Sequence, residues 1–281
     1  PSSNTYIAKE VTINDEIDRM RLCATNALFD RRDVIIVASV SCIYGIGAPD
    51  TYYSMSFSLE KGQVLSRKKI LESLVGIQYE RQEADFKRGS FRVRGDIVEV
   101  FPSYEDFAYR IELEDGRIKA LSAVDPLLGK TLDSYEKILV HPRTFFSTPQ
   151  DVLKAAADGI ERELAQRIDL FRSEGKFMEA ERIEERTLFD LDMLRELGYC
   201  PGIENYSRHL SGRNPGEPPF TLLDYFPKDF LTILDESHVT VPQIGGMYHG
   251  DRSRKMTLVD HGFRLPSALD NRPLNFDEFG D

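Results

Sequence analysis

A chain of 281 residues, 41% hydrophobic, 30% charged and 10% aromatic, has the composition of a globular protein and is long enough for two or three cores. No window nears 18 uninterrupted apolar residues, which excludes a membrane-spanning helix, and "PSSNTYIAKE" lacks the charged and apolar regions of a signal peptide. A net charge of −11 excludes a protein coated in basic surface while leaving room for a locally basic nucleic-acid groove, and Cys23, Cys42 and Cys200 have neither metal-ligand nor disulfide-framework spacing, as fits a reducing cytoplasm.

In chain order, "NDEIDRMRLCATNALFD" (14–30) places Ile17, Met20, Leu22, Ala24, Ala27 and Leu28 roughly on one helical stripe, with Asn14 as N-cap. The run Val34 to Val37 is continuous, apolar and β-branched, the pattern of a parallel strand covered on both faces, and it breaks into Ser39, Ser41, Gly45 and Gly47, where open α/β sheets bind ligands. From about 54 to 147 come short alternating runs punctuated by Arg94-Gly95, Asp115-Gly116 and Asp125-Pro126, which predict an α+β, largely antiparallel module with a helix near Lys68 to Leu74. Thr148 and Pro149 then suit a helix start, Gly175 splits the helical stretch, and Gly198 ends its second half. A Gly/Pro-rich loop leads to an apolar run, Phe230 to Leu234, read as a second strand of the sheet begun at Val34. A discontinuous first domain, interrupted by an inserted module and a helical segment, is the economical architecture.

The second strand ends in Asp235, Glu236, Ser237 and His238. Carboxylates fixed at a sheet edge suit a nucleotide hydrolase: Asp235 would hold magnesium, and Glu236 would position and deprotonate the attacking water. In the inserted module Lys87, Arg88, Arg92 and Arg94 lie within eight residues, and β alternation puts Arg92 and Arg94 on one face with Val93 opposite. Residues 54–147 hold 15 Lys+Arg and 15 Asp+Glu, so this is a local patch and not a basic domain. Ser39 and Ser41, spaced to share a strand face, could bind DNA phosphates, and Arg252, Arg254 and Arg264, with Lys255 and Arg272, could line a DNA path. His141, His209, His249 and His261 have no ligand spacing and read as structural.

"DESH" resembles the second ATPase motif of superfamily 2 helicases. Together with "RRDVIIVASVSCIYGIGAPDTYY", "FKRGSFRVRGDIVEVFP", "ELGYCPGIENYSRHLSGRNPGEPPFTLLDYFP" and "DRSRKMTLVDHGFRLPSALDNRPLNFDEF", it resembles the UvrB family, the B subunits of the bacterial UvrABC excision nuclease, over essentially the whole chain. The resemblance implies a P-loop helicase-like motor domain of α/β fold carrying an inserted UvrA-interaction domain and a helical subdomain. It divides the chain into 1–13 (remnant of a β-hairpin), 14–53 (motor), 54–147 (UvrA interaction), 148–204 (helical) and 205–281 (motor). It also implies ATP and magnesium as cofactors, with UvrA, damaged DNA and UvrC as partners. Residues matching Arg81, Arg92 and Arg94 are implied UvrA contacts, with Arg110 and Glu112 as further candidates, and Tyr6 is a candidate for base stacking. No GxxxxGKS/T occurs in the 281 residues. In the family that motif lies upstream, and the second motor domain and the UvrC-binding segment lie downstream, so this chain alone is expected neither to hydrolyse nor to hold ATP. Two other readings stand beside this one: a UvrA-binding module like the UvrB-like region of a transcription-repair coupling factor, and a stand-alone superfamily 2 helicase. The paired carboxylates Asp235 and Glu236 separate an ATPase from a pure binding module.

Overall fold

The structure, a computed structural model, describes residues 15–280, which form two compact units. One comprises residues up to 34 and 50–149; the other comprises 35–49 and 150 onward.

The first unit holds α1 (Asp15–Asp30), the body of α2 (Pro49–Ser54), α3 (Arg67–Gly76) and every named strand: β1 (Phe57–Glu60), β2 (Glu80–Arg81), β3 (Ser90–Arg94), β4 (Ile97–Phe101), β5 (Ala108–Glu114), β6 (Arg117–Val124), β7 (Thr131–Tyr135) and β8 (Lys137–Val140). β1 and β8 pair antiparallel, and the other six form one sheet in the order β2-β3-β4-β5-β6-β7, antiparallel except for β2 beside β3. Alternation along the strands sends Phe91, Val98, Val100, Ile111 and Leu121 into a core with Ile70 and Leu74 of α3. Ser66 caps α3, its hydroxyl accepting from the Lys69 amide at 3.3 Å. The turn between β5 and β6 is Asp115-Gly116, with φ of 50° and 74°, the pairing of positive dihedrals that a tight hairpin needs and that Gly116 adopts without a Cβ clash.

The second unit is helical. α4 (Gln150–Ser173) and α5 (Phe177–Leu197) turn back on each other at Gly175, and α5 ends at Gly198, where φ is 71°. Leu153, Ala156, Ala157, Ile160, Leu164, Ile168 and Phe171 form the buried stripe of α4, at helical spacing. Thr148 does not cap α4; its hydroxyl donates to the Phe146 carbonyl. After the single turn α6 (Ser207–Leu210) comes α7 (Ser237–Asp260), whose buried residues Ile244, Asp251, Lys255 and Val259 make one stripe, and then α8 (Phe276–Gly280). Ile43, Ile244 and Leu274 form a small core of their own.

Three expectations are corrected. Neither Val34–Val37 nor Phe230–Leu234 is a strand: both lie outside any helix or strand, with Ile35 93%, Val37 96%, Leu231 83% and Ile233 82% exposed. Among the described residues no strand lies beside them, and a strand exists only by pairing, so the parallel motor sheet expected from these runs is not formed by the described residues. The segment 14–53, expected to be one motor piece, divides: α1 and Val34 cluster with 50–149, while 35–49 does not, and the Asn26 side chain accepts from the buried Tyr52 hydroxyl at 2.9 Å while Phe29 lies against Tyr53.

Candidate functional site

One face of the six-stranded sheet carries a polar row. The register aligns Arg92, Glu99, Arg110 and Ser122 across β3 to β6. Glu99 is 4% exposed and lies between two guanidiniums, Arg92 Nε at 2.6 Å and Arg110 Nε at 2.8 Å. Burial alone would raise the Glu99 carboxyl; the hydrogen bonds and charges of Arg92 and Arg110 outweigh it and hold the group below the usual carboxylate value. Arg92 also lies 4.1 Å over the Phe86 ring, and Arg110 Nη2 donates to the Gly129 carbonyl at 3.3 Å. Two cations on one anion leave this row with one excess positive charge. Beyond it stands Arg94, exposed at the end of β3, in register with Ile97 and the half-buried Glu112. Arg81 is exposed on β2, an edge strand, and pairs with Glu83 at 2.9 Å. Arg92 and Arg94 therefore share a face as alternation predicts, and Val93 packs toward the core. Arg92, however, is a bound cation and Arg94 a solvated one.

The acidic motif opens α7. Glu236 is its N-cap in the left-handed region, φ 46°, a conformation that costs a residue with a Cβ about 1 kcal/mol or more. Its carbonyl accepts from the amides of Val239 and Thr240, while Asp235 Oδ1 accepts the Glu236 amide at 3.0 Å. Glu236 and His238 are 3.3 Å apart and both are open to solvent. Two carboxylates at the positive end of a 24-residue helix are favourably placed. Among the described residues no group of three or more His, Cys, Asp or Glu could by itself hold a metal ion. Magnesium usually takes one or two carboxylates and completes its shell with phosphate oxygens and water, and the hydrated Asp235 fits that donor set.

The sequence matches two family models, the UvrB interaction domain over residues 57–146 and the UvrB third helical domain over residues 151–212. Relatives named "UvrABC system protein B" align over 99% of this chain: that of Carboxydothermus hydrogenoformans is 58% identical, that of Bacillus caldotenax 56% and that of Geobacillus kaustophilus 55%. The chain belongs to the UvrB family. It spans 42% of the length of the first two of these relatives and 43% of the third. The matched UvrB interaction domain covers all eight strands and the polar row, and the matched third helical domain covers α4, α5 and α6.

The remaining expected residues of this chain are scattered. Ser39 and Ser41 are exposed but lie at and within a one-turn 3₁₀ helix, Val40–Ile43; on such a turn residues two apart diverge, so the shared face expected of a strand is lost. Arg252 is exposed, and Arg254 pairs with Asp251 at 3.1 Å while staying open to solvent. Arg264 is half-buried and donates to the Phe263 carbonyl. Lys255 and Arg272 are not groove cations: Lys255 is buried on Asp251 and the Asn271 carbonyl, its ammonium pKa lowered mainly by that burial, and Arg272 is buried on Glu278. Tyr6 and Asn14 lie outside the described residues. Gly129-Lys130-Thr131 has the end of a phosphate-loop signature, but Val124 stands where its first glycine belongs and a strand follows instead of a helix.

His141 contacts Ser56 Oγ through Nδ1 at 2.9 Å and Asp30 through Nε2 at 3.3 Å. These are the residue types of a hydrolytic triad, yet the imidazole is 1% exposed and surrounded by Tyr52, Tyr104 and Phe29, leaving no room for a substrate. His209 bonds Glu163 at 2.6 Å and His261 the Thr257 carbonyl, both structural roles. Glu99 is the residue that the sequence reading passed over. Its signal was available: one carboxylate in the apolar run "IVEVF", on the alternation phase of two neighbouring arginines.

Proposed function

We propose that this chain is part of the damage-recognising B subunit of a UvrABC excision nuclease, a cytoplasmic, ATP-dependent DNA-binding protein loaded by UvrA and working with UvrC. The observation that carries the proposal is the net-positive row Arg92–Glu99–Arg110, with solvated Arg94 beside it, inside the matched interaction domain. In this reading the sheet face docks an acidic surface of UvrA. Arg94 makes a direct contact, while Arg92 and Arg110 present their charge from fixed positions. The clean test is Arg94→Glu, since reversal at Arg92 would also break the Glu99 pair. At moderate salt, R94E is expected to weaken UvrA binding roughly tenfold or more without changing the thermal midpoint. Unchanged affinity by surface plasmon resonance would refute the docking face.

The helicase-like motor fold is part of the same proposal. It is supported by the run Asp235-Glu236-Ser237-His238, which carries the residue types of the second ATPase motif of superfamily 2 helicases. Magnesium-ATP, when bound, supplies a phosphoryl bond whose hydrolysis the protein can use. Asp235 would hold the ion, directly or through water, and Glu236 would orient a water and take its proton on a carboxylate oxygen. The 281 residues contain no phosphate loop, so purified alone they are expected to show no saturable ATPase above background; a measurable Michaelis constant would overturn that. DNA is assigned to the helical unit, where exposed Arg252 and Arg254 can meet phosphates.

A further inference from the structure

The turn between β6 and β7 carries two leucines with nothing over them: Leu127 is 92% and Leu128 80% exposed. A mobile loop could hide such side chains by collapsing onto its neighbours. This one is fixed. Asp125 Oδ1 accepts the amides of Leu127 and Leu128 at 2.9 and 2.8 Å, the Gly129 amide donates to the Asp125 carbonyl at 2.8 Å, and Gly129 holds φ 69°. The turn backs onto the polar row, because the Gly129 carbonyl accepts from Arg110, whose other contact is Glu99. Leu132, the extra residue of a bulge opposite Ala123 and Val124, adds another side chain that is 57% exposed, and β7 is the free edge of the sheet. Lys130, also exposed, continues the positive charge to the turn.

We propose that Leu127 and Leu128 are the apolar anchor of the docking face, entering an apolar pocket of the partner protein whose rim carries carboxylates opposite Arg94 and Lys130. The inference rests on the reading of this face as the UvrA-docking face and deepens it. A charged face supplies orientation and encounter rate, and a preorganised apolar anchor supplies residence time. Arg110 connects the two, being bonded both to the carboxylate that fixes Arg92 and to the carbonyl that fixes the leucine turn. A solvated turn built on Asp125 and Gly129 has no folding use for two exposed leucines.

The test measures binding of purified UvrA to the protein and to three variants, with thermal unfolding run on each. L127S/L128S is expected to weaken binding at least tenfold, chiefly through faster dissociation, with the salt dependence and the thermal midpoint unchanged, since neither leucine is in the core. L127M/L128M keeps the apolar volume and is expected to bind within about twofold of the parent. R94E is expected to lower the association rate and flatten the salt dependence. If R94E weakens binding and L127S/L128S does not, the anchor is refuted and the docking face stands. If neither weakens it, both fail. Leucine-dependent self-association on sedimentation, with UvrA binding intact, would assign the turn to a second copy of the chain and overturn the proposal.

Discussion

Gly262→Ala is expected to destabilise the helical unit by about 3 to 4 kcal/mol, a combination of left-handed strain near 1 kcal/mol and the overpacking of a rigid contact. Gly262 follows α7 with φ 70°, and a Cβ there would run into the Glu179 carbonyl oxygen and meet two more backbone atoms of α5 at 2.9 Å. Backbone cannot step aside as a side chain can. The contact belongs to a larger seam: Arg182 donates to the His261 carbonyl at 2.5 Å and lies 4.2 Å over Phe263, and Arg167 donates to the Val259 carbonyl at 3.0 Å. Arg182 thus takes up the carbonyl of the residue that follows α7, and Arg167 adds a side-chain donor to the Val259 carbonyl, which also accepts from the Gly262 amide. Gly212→Ala is the control, since Gly212 has φ 66° and nothing within 4 Å, and it is expected to lose only about 1 kcal/mol. Equal thermal midpoints for the two variants would mean that the α5 contact contributes nothing.

Glu99→Leu is expected to cost about 3 kcal/mol, measured by denaturant unfolding of the strand-bearing unit. Removing one partner of a buried ion pair leaves the other charge uncompensated, at about 3 to 5 kcal/mol. The lower end applies because the Arg92 and Arg110 side chains keep 13% and 22% exposure and so some water. R92M/E99L/R110M, which removes all three charges, is expected to recover most of the loss; if it does not, the carboxylate acts through something other than charge pairing. Glu99 titrates below its ordinary 4.5 in the folded state, so its contribution is fully present above about pH 4.5 and is lost as the pH falls through the lower, folded value. Glu163, half-buried but held by His209, Ser267 and Arg208, shifts the same way and adds to acid unfolding. Glu99→Gln should flatten stability over that window relative to the parent, and an unchanged acid profile would count against the assignment.

Local chemistry was readable: Gly175 and Gly198 as helix breaks, Asp115-Gly116 as a hairpin, alternation placing Arg92 and Arg94 together. Each depends on neighbours a few residues away. Val34–Val37 and Phe230–Leu234 have β-branched, apolar composition, but a strand needs a partner at hydrogen-bonding distance, and composition does not supply one. α7 was missed for the opposite reason, since "SHVTVPQIGG" is a poor helix former locally and takes its form from the burial of Ile244, Lys255 and Val259 further on. Of the two arginines on this face, Arg94 is solvated and Arg92 is attached to Glu99. Only the cross-strand register distinguishes them.

That stripe has a mechanical consequence for the acidic motif. The first buried residue of α7 is Ile244, and before it only Thr240 and Val241 are half-buried, so Ser237 to Gln243 form a lightly packed extension of about 10 Å. Pro242, which has no amide to return to the His238 carbonyl, removes one rung where the overhang meets its support. Bending there by about 10° would carry Asp235 and Glu236 through about 2 Å while Ile244 and the buried residues after it stay in place. The carboxylates are thus mounted on the compliant end of an otherwise clamped beam.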